Sequence, residues 1–155
     1  MLTSDLAAPA RVLIDTHIWV WAAAGETGRF SAAAAREIDR AAAERRLFIS
    51  ATSVWEIALK VQTGALELTS DLRAWVREQQ REPGVRIWPL SPAVLVGSVQ
   101  LPEWIRVRDG KPHRDPCDRF LVATARERHA VLVTSDAEIL TYGRAGHVTA
   151  CDARG

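Results

Sequence analysis

Val12-Leu13-Ile14 is an apolar triplet that stops abruptly at an acid, within Arg11-Val12-Leu13-Ile14-Asp15-Thr16-His17. So short a run, with no polar alternation, fits a central strand of a parallel sheet, buried on both faces. The same unit recurs outward from it. Leu47-Phe48-Ile49 and Val131-Leu132-Val133 are further triplets, Val85 to Trp88 reads as another strand, and a last one lies near His147 to Ala150. Helical patterns separate them. The spacing predicts helices over His17 to Ala24, Ser31 to about Arg46 with Ser31 as cap, and Ser53 to Gln62 closed by Gly64. Further helices are expected over Asp71 to about Arg81 (capped by Thr69 or Ser70), Pro92 to about Gln100, Asp115 to about Arg128, and Asp136 to Leu140. Residues 101–114, with Pro102, Gly110 and Pro112, read as a loop. Strands alternating with helices in this way predict an α/β fold, a mainly parallel sheet with helices on both faces.

The composition agrees. The chain has 155 residues, 48% hydrophobic and 25% charged, which excludes fibrous, collagen-like and mainly disordered classes. A chain of this length is expected to form a single domain over residues 1–155 and to bury roughly 68–70% of its unfolded surface. Nineteen acids against 20 bases leave a net charge of +1, so any electrostatic argument must come from position. All the bases but Lys60 and Lys111 are Arg, which with the alanine runs fits nucleotide bias in the source genome. Cys117 and Cys151 match neither metal-ligand spacing nor a disulfide framework, and free thiols in a reducing compartment are expected. Met1 to Arg11 has no basic stretch followed by an apolar run, and Ile18 to Ala24 is too short to span a bilayer, so a cytoplasmic, membrane-free location is expected.

Acids stand where the strands end. Asp15 closes the first strand, Glu56 lies in the helix after the second, Asp118 in the first turn of the helix before the strand at 131, and Asp136 just past that strand. Open parallel sheets bind ligands at the carboxyl ends of their strands. Each acid alone has a structural explanation. Ser53-x-x-Glu56 is a capping box, Asp136 can cap its helix, and Asp115 with Pro116 makes an N-cap that leaves Asp118 in the first turn. Capping, however, needs no convergence, and gathered carboxylates repel until a cation, a proton or a base relieves them. An all-oxygen set selects Mg²⁺ or Mn²⁺ over Zn²⁺. That chemistry suits phosphodiester hydrolysis by metal-activated water, with ions ~3.5–4 Å apart if two bind.

In these residues the chain resembles the PIN-domain ribonucleases, and within them the VapC-like toxins of bacterial toxin–antitoxin pairs. The resemblance runs from Val12 to about Asp152, a core of about 11–152. It rests on Leu13-Ile14-Asp15-Thr16-His17, Ser53-Val54-Trp55-Glu56-Ile57, His113-Arg114-Asp115-Pro116-Cys117-Asp118-Arg119 with Phe120 to Ala125, and Leu132-Val133-Thr134-Ser135-Asp136, in that order. It implies a PIN-like three-layer α/β/α fold in which Asp15, Glu56, Asp118 and Asp136 hold one or two Mg²⁺ or Mn²⁺ ions. Asp115 would be a cap or supporting group, and Thr16, Thr134 and Ser135 would orient carboxylates or waters. Cys117 stands where the subgroup with a His-Arg-Asp-Pro motif more often has Phe. The resemblance further implies an RNA substrate, a homodimer and a small antitoxin partner.

Arg106, Arg108, Lys111 and Arg114 precede Asp115 against a single acid, Asp109, with His113 able to add charge. This loop is either a solvated charge run or a phosphate-binding strip beside the acids. Arg119 is expected to screen the acids or reach a phosphate, and Lys60 to pair with Glu56. Trp55 and Trp88 are expected in the core, Trp104 to stack on a base, and at least one of Trp19 and Trp21 at an interface. His17 and His129 read as structural or surface residues. Two alternatives stand beside the nuclease. A phospho-acceptor domain would need an adjacent acidic pair and a late Lys, both absent from the sequence. A catalytically silent PIN-like interaction module would more often have lost one of the four acids.

Overall fold

A computed structural model describes residues 9–155, so the leader-free reading of Met1 to Arg11 falls, up to residue 8, outside the described residues. The elements in chain order are β1 (Arg11–Ile14), α1 (Thr16–Ala23), α2 (Ala32–Ala43), β2 (Leu47–Ser50), α3 (Ala51–Gln62), α4 (Leu72–Arg81), β3 (Val85–Trp88), α5 (Pro92–Val99), α6 (Pro116–Glu127), β4 (Ala130–Thr134), α7 (Ala137–Arg144) and β5 (Ala150–Asp152).

The five strands among the described residues are all parallel, in the order β3-β2-β1-β4-β5. The register places Leu13 beside Phe48 on one side and Leu132 on the other. Because successive side chains point to opposite faces, each triplet feeds two cores. Leu13, Phe48 and Leu132 pack with Leu121 and Val122 of α6 and with Ile139 and Tyr142 of α7. Val12, Ile14, Leu47, Ile49 and Val133 pack on the other face with Ile18 and Trp19 of α1, Ile38 of α2, Ile57 of α3 and Trp75 of α4. Two apolar faces require two helical layers, the expected α/β/α sandwich.

Several boundaries differ from expectation. The helix from Ser31 ends at Ala43, because Arg45 turns into the left-handed region (φ 57°) and Arg46 folds back, its N–H donating to the Ala41 carbonyl at 2.7 Å. Ser50, not Ser53, caps α3 and accepts from the Thr52 N–H at 3.1 Å, so no Ser53–Glu56 capping box forms. Asp71 caps α4 in place of Thr69 or Ser70, α7 continues to Arg144, and β5 begins only at Ala150. Trp88 is buried as expected, stacked on Phe48, but Trp55 is 59% exposed on the outer face of α3. Trp19 is buried against Trp75, while half-buried Trp21 packs on Phe30 and His17 under the Arg29 guanidinium.

Candidate functional site

Strand order reverses at β1, with β2 on one side and β4 on the other. The crevice at the carboxyl ends of β1 and β4 is the topological switch point, where the flanking loops diverge and leave a cleft. Asp15 and Asp136 are the residues that leave those two strands towards α1 and α7, and each caps the helix that follows it. Asp15 accepts from the Thr16 N–H at 2.6 Å, and Asp136 from the Glu138 and Ile139 N–H groups at 2.9 and 3.0 Å. Thr134, fully buried at the end of β4, joins them. Its hydroxyl donates to Asp15 Oδ2 at 2.6 Å and accepts from the Asp136 N–H at 3.0 Å.

Glu56 arrives because α3 starts three residues earlier than its capping motif predicts. Ser53 then lies inside the helix, fully buried, with its hydroxyl 2.8 Å from Thr16 Oγ1, and Thr16 Oγ1 donates to Glu56 Oε1 at 3.0 Å. Asp118 arrives because α6 is joined to β4 by a tight turn through His129 (φ 52°), so it runs against the strands and begins at their carboxyl edge. Asp115 is exposed and caps α6, accepting from the Asp118 N–H at 3.1 Å, as expected for a supporting group.

The electrostatics are those of crowded, partly dehydrated carboxylates. Burial pushes the Asp15 carboxyl above its ordinary range; His17 and the hydrogen bonds from Thr134 and Thr16 oppose this, and Asp136 adds to it. Burial likewise raises Glu56, with Thr16 and the exposed Lys60 opposing and Asp15 reinforcing. Asp118 is pushed up to about 8 by burial and then by Asp115, Asp136, Asp15 and Glu56. Asp118 therefore feels all three of the other acids, while Asp15 feels Asp136 and Glu56 feels Asp15. Among the described residues, no three His, Cys, Asp or Glu side chains stand close enough to hold one ion as they are placed. The donor chemistry nevertheless fits a hard divalent cation: oxygen atoms only, negative charge in excess, and room for the waters such ions retain.

The supporting residues sort differently from expectation. Ser135 reaches no carboxylate; its Oγ lies 2.7 Å from His17 Nε2 and its N–H 3.3 Å from the same nitrogen. His17 Nδ1 lies 3.7 Å from Asp15 Oδ2, which makes this half-buried histidine part of the site. The available signal was its place in the first turn of the helix that Asp15 caps. His113 does not add charge, because its burial holds the imidazole below its ordinary pKa against Asp115, Glu138 and Asp136. Trp104 stacks on no base; it is 4% exposed and lies against His113.

Two of the five candidate RNA-binding bases are already engaged. Arg106 forms a two-pronged pair with Asp109, and Arg119 donates to the carbonyls of Ser98 and His113 at 2.9 and 3.0 Å. Arg108, 70% exposed, lies 4.0 Å from Asp109 at the limit of an ion pair, and Lys111 and Arg114 face solvent. Arg108 and Arg114 help line a cleft of about 410 Å³ with Asp115, Asp118 and Asp136. The loop is held there by Glu138, whose carboxylate accepts from the Val107 N–H at 2.9 Å. On the other side of the site, Trp55, Leu59, Leu90, Pro116 and Phe120 line an apolar groove of about 680 Å³ that includes Glu56.

A parallel sheet in this order with acids at its switch point is a doubly wound α/β domain of the kind the PIN class builds on. The pattern of the PIN domain family matches residues 12–145, and the chain belongs to that family. It is 31% identical over 138 residues to Ribonuclease VapC22 of Mycobacterium tuberculosis, spanning 89% of this chain and 96% of that protein. Among solved structures, the DNA-bound VapBC of Salmonella typhimurium superposes with a TM-score of 0.62 at 16% identity, covering 93% of this chain and 98% of the other. FitAcB of Neisseria gonorrhoeae superposes with a TM-score of 0.56 at 23% identity, covering 90% and 95%. At these identities the structural likeness speaks for the fold.

Proposed function

We propose that the chain is a Mg²⁺- or Mn²⁺-dependent endoribonuclease, the toxin component of a toxin–antitoxin pair, acting in the cytoplasm as a homodimer. One observation carries the reading: Asp15, Glu56, Asp118 and Asp136 gather at the switch point, and three of them are pushed towards protonation by burial and mutual repulsion. A stable fold gains nothing from that arrangement, whereas a site for a doubly charged cation does. Family membership, and the identity to a relative named a ribonuclease, support the same activity.

The four acids are the proposed ligands of one or two ions. A bound cation supplies an activated water and neutralises charge developing on the phosphoryl oxygens. The chain's own residues do the rest. Thr134 and the Thr16 N–H fix the Asp15 carboxylate, Thr16 Oγ1 orients Glu56, and the Asp136 carboxylate is held by two amide groups of α7. Arg108, Lys111 and Arg114 would bind phosphates flanking the scissile bond, and no side chain need act as a nucleophile. Arg106 and Arg119 hold the loop and α6 in place for that purpose. The antitoxin partner rests on relatives whose solved forms are VapBC and FitAcB assemblies. No helix among the described residues is long and apolar enough to cross a membrane.

The test is incubation of the purified chain with a panel of structured and single-stranded RNAs, and matched DNAs, with Mg²⁺, with Mn²⁺ and with chelator. Metal-dependent internal cleavage of RNA supports the proposal. Absence of cleavage on every RNA, together with no binding of either ion, returns the chain to the silent-module reading.

A further inference from the structure

We propose that His113 is a positioning residue for Asp118, and that Trp104 and Tyr142 form the rigid backing that holds its imidazole in place. This rests on the reading of Asp118 as a cation ligand and adds a device that neither the acid pattern nor the family likeness assigns.

The geometry is specific. His113 Nε2 lies 2.9 Å from Asp118 Oδ2, and the imidazole is only 6% exposed. Its ring stacks on Trp104 with centroids 4.2 Å apart and planes 20° apart, and Trp104 stacks in turn on Tyr142 at 4.3 Å and 13°. Tyr142 is anchored through its hydroxyl, which donates to the Pro102 carbonyl at 2.7 Å. The backbone of His113 is fixed at both ends, its N–H donating to the Trp104 carbonyl at 2.7 Å and its own carbonyl accepting from Arg119 at 3.0 Å. Plane, height and attachment of the imidazole are all set by contacts that do not involve Asp118.

The tautomer follows from what is left unpaired. Among the described residues, His113 Nδ1 is buried with no partner. A proton there would be a buried orphan donor and would turn a bare Nε2 lone pair towards the carboxylate, two unfavourable contacts at once. With the proton on Nε2, the imidazole donates to Asp118 and only a lone pair goes unmet. The bond engages Oδ2, which holds the carboxylate in one orientation and would leave Oδ1 available to a cation. The stack also joins two acids: Tyr142 belongs to α7, whose first residue follows Asp136, so one aromatic column registers α6 against α7. Outer partners of metal ligands commonly work this way, fixing orientation through the atom the metal does not use.

The experiment is calorimetric titration of Mn²⁺ into the chelator-treated full chain, in the absence of RNA, for wild type, His113→Asn, His113→Gln and Trp104→Leu. His113→Asn moves the donor to the wrong place and is expected to weaken Mn²⁺ binding ~10-fold or more. His113→Gln puts an amide nitrogen near the Nε2 position and should recover most of the loss, and Trp104→Leu should fall between. In RNA cleavage the Asn variant should lose kcat at unchanged KM. Mn²⁺ binding by a folded His113→Asn chain as tight as wild type overturns the proposal alone; no Mn²⁺ binding by wild type overturns the cation site and this proposal together. Should the Asn variant fail to fold, the ¹⁵N imidazole spectrum of the wild-type chain decides. A proton on Nε2 whose resonance moves on adding Mg²⁺ supports the role, and a proton on Nδ1, or an unmoved resonance, refutes it.

Discussion

Replacing Asp118 with Asn should stabilise the metal-free protein, and should do so only where the carboxyl would otherwise ionise. Asp118 is pushed up to about 8 from an ordinary value of 3.8. An unfolded chain ionises this group near pH 4 while the folded chain keeps it protonated to about pH 8, so the folded state binds the extra proton in between. Stability therefore falls as pH rises through that window and levels off above it. Four units at about 1.36 kcal/mol each set a ceiling of about 5–6 kcal/mol. The side chain is 22% exposed, and water screening reduces the expected gain from Asp118→Asn at pH 8 to about 2–3 kcal/mol. For a chain of this size that is about 5–10 °C in Tm. At pH 5 the gain should shrink to about a quarter of its value, since only about one of the four units has been crossed. The assay is thermal melting with chelator present at pH 5, 6.5 and 8, wild type against Asp118→Asn, followed by the same melts with Mg²⁺. Added Mg²⁺ should raise the Tm of wild type and leave the variant nearly unchanged. A variant no more stable than wild type at pH 8, or a difference independent of pH, would refute the account of a crowded acidic site.

The remaining predictions concern neighbours of the acids and one turn. Thr134→Val keeps the shape but removes the donor to Asp15 and the acceptor for the Asp136 N–H; it should cost about 1–3 kcal/mol in urea unfolding and move the acidic limb of the pH–rate profile upward. Arg108→Ala should weaken RNA binding across sequences alike and reduce the salt dependence by about one phosphate contact, while Arg106→Ala, already paired with Asp109, should act mainly by loosening the loop; salt-titrated binding of a non-cleavable RNA separates the two. Gly84 has a φ of +83°, and a Cβ there would lie 1.8 Å from the Ala42 carbonyl oxygen, so Gly84→Ala should lose at least about 2 kcal/mol or fail to accumulate as soluble protein.

The central strands β1, β2 and β4 were legible because each is announced by an apolar run too short for a helix, and two-sided burial of such runs leaves little choice but a parallel sheet covered on both faces; β5, Ala150-Cys151-Asp152, carries no such run and lies further on than expected. Asp15, Glu56 and Asp136 were legible because they follow those strands, and Asp118 because its helix leads into one. Turns were harder: Arg45 and His129 adopt left-handed backbone without being Gly or Asn, so nothing in residue type marks the end of α2 or the tight entry to β4. Ser50 and Ser53 are both good caps, and only the position of β2 decides between them. Trp55 shows that a large apolar residue two places from a buried one, Ile57, can sit on the opposite side of a helix. The partners of Arg119, His17 and His113 come from packing of separate segments, as with His17 and Ser135, 118 positions apart. Pattern could place the carboxylates; it could not say which neighbours hold them or which bases remain free.

The central claim is that these four carboxylates hold the cation on which RNA cleavage depends. Its most direct test is the initial rate of cleavage of one defined RNA by wild type and Asp15→Asn, each with Mg²⁺, after chelation, and after Mg²⁺ is restored. The account predicts that the wild-type rate vanishes on chelation and returns with Mg²⁺, and that the folded Asp15→Asn chain falls by at least about 10²-fold throughout. Cleavage that survives both the chelator and the loss of the Asp15 carboxylate would contradict it.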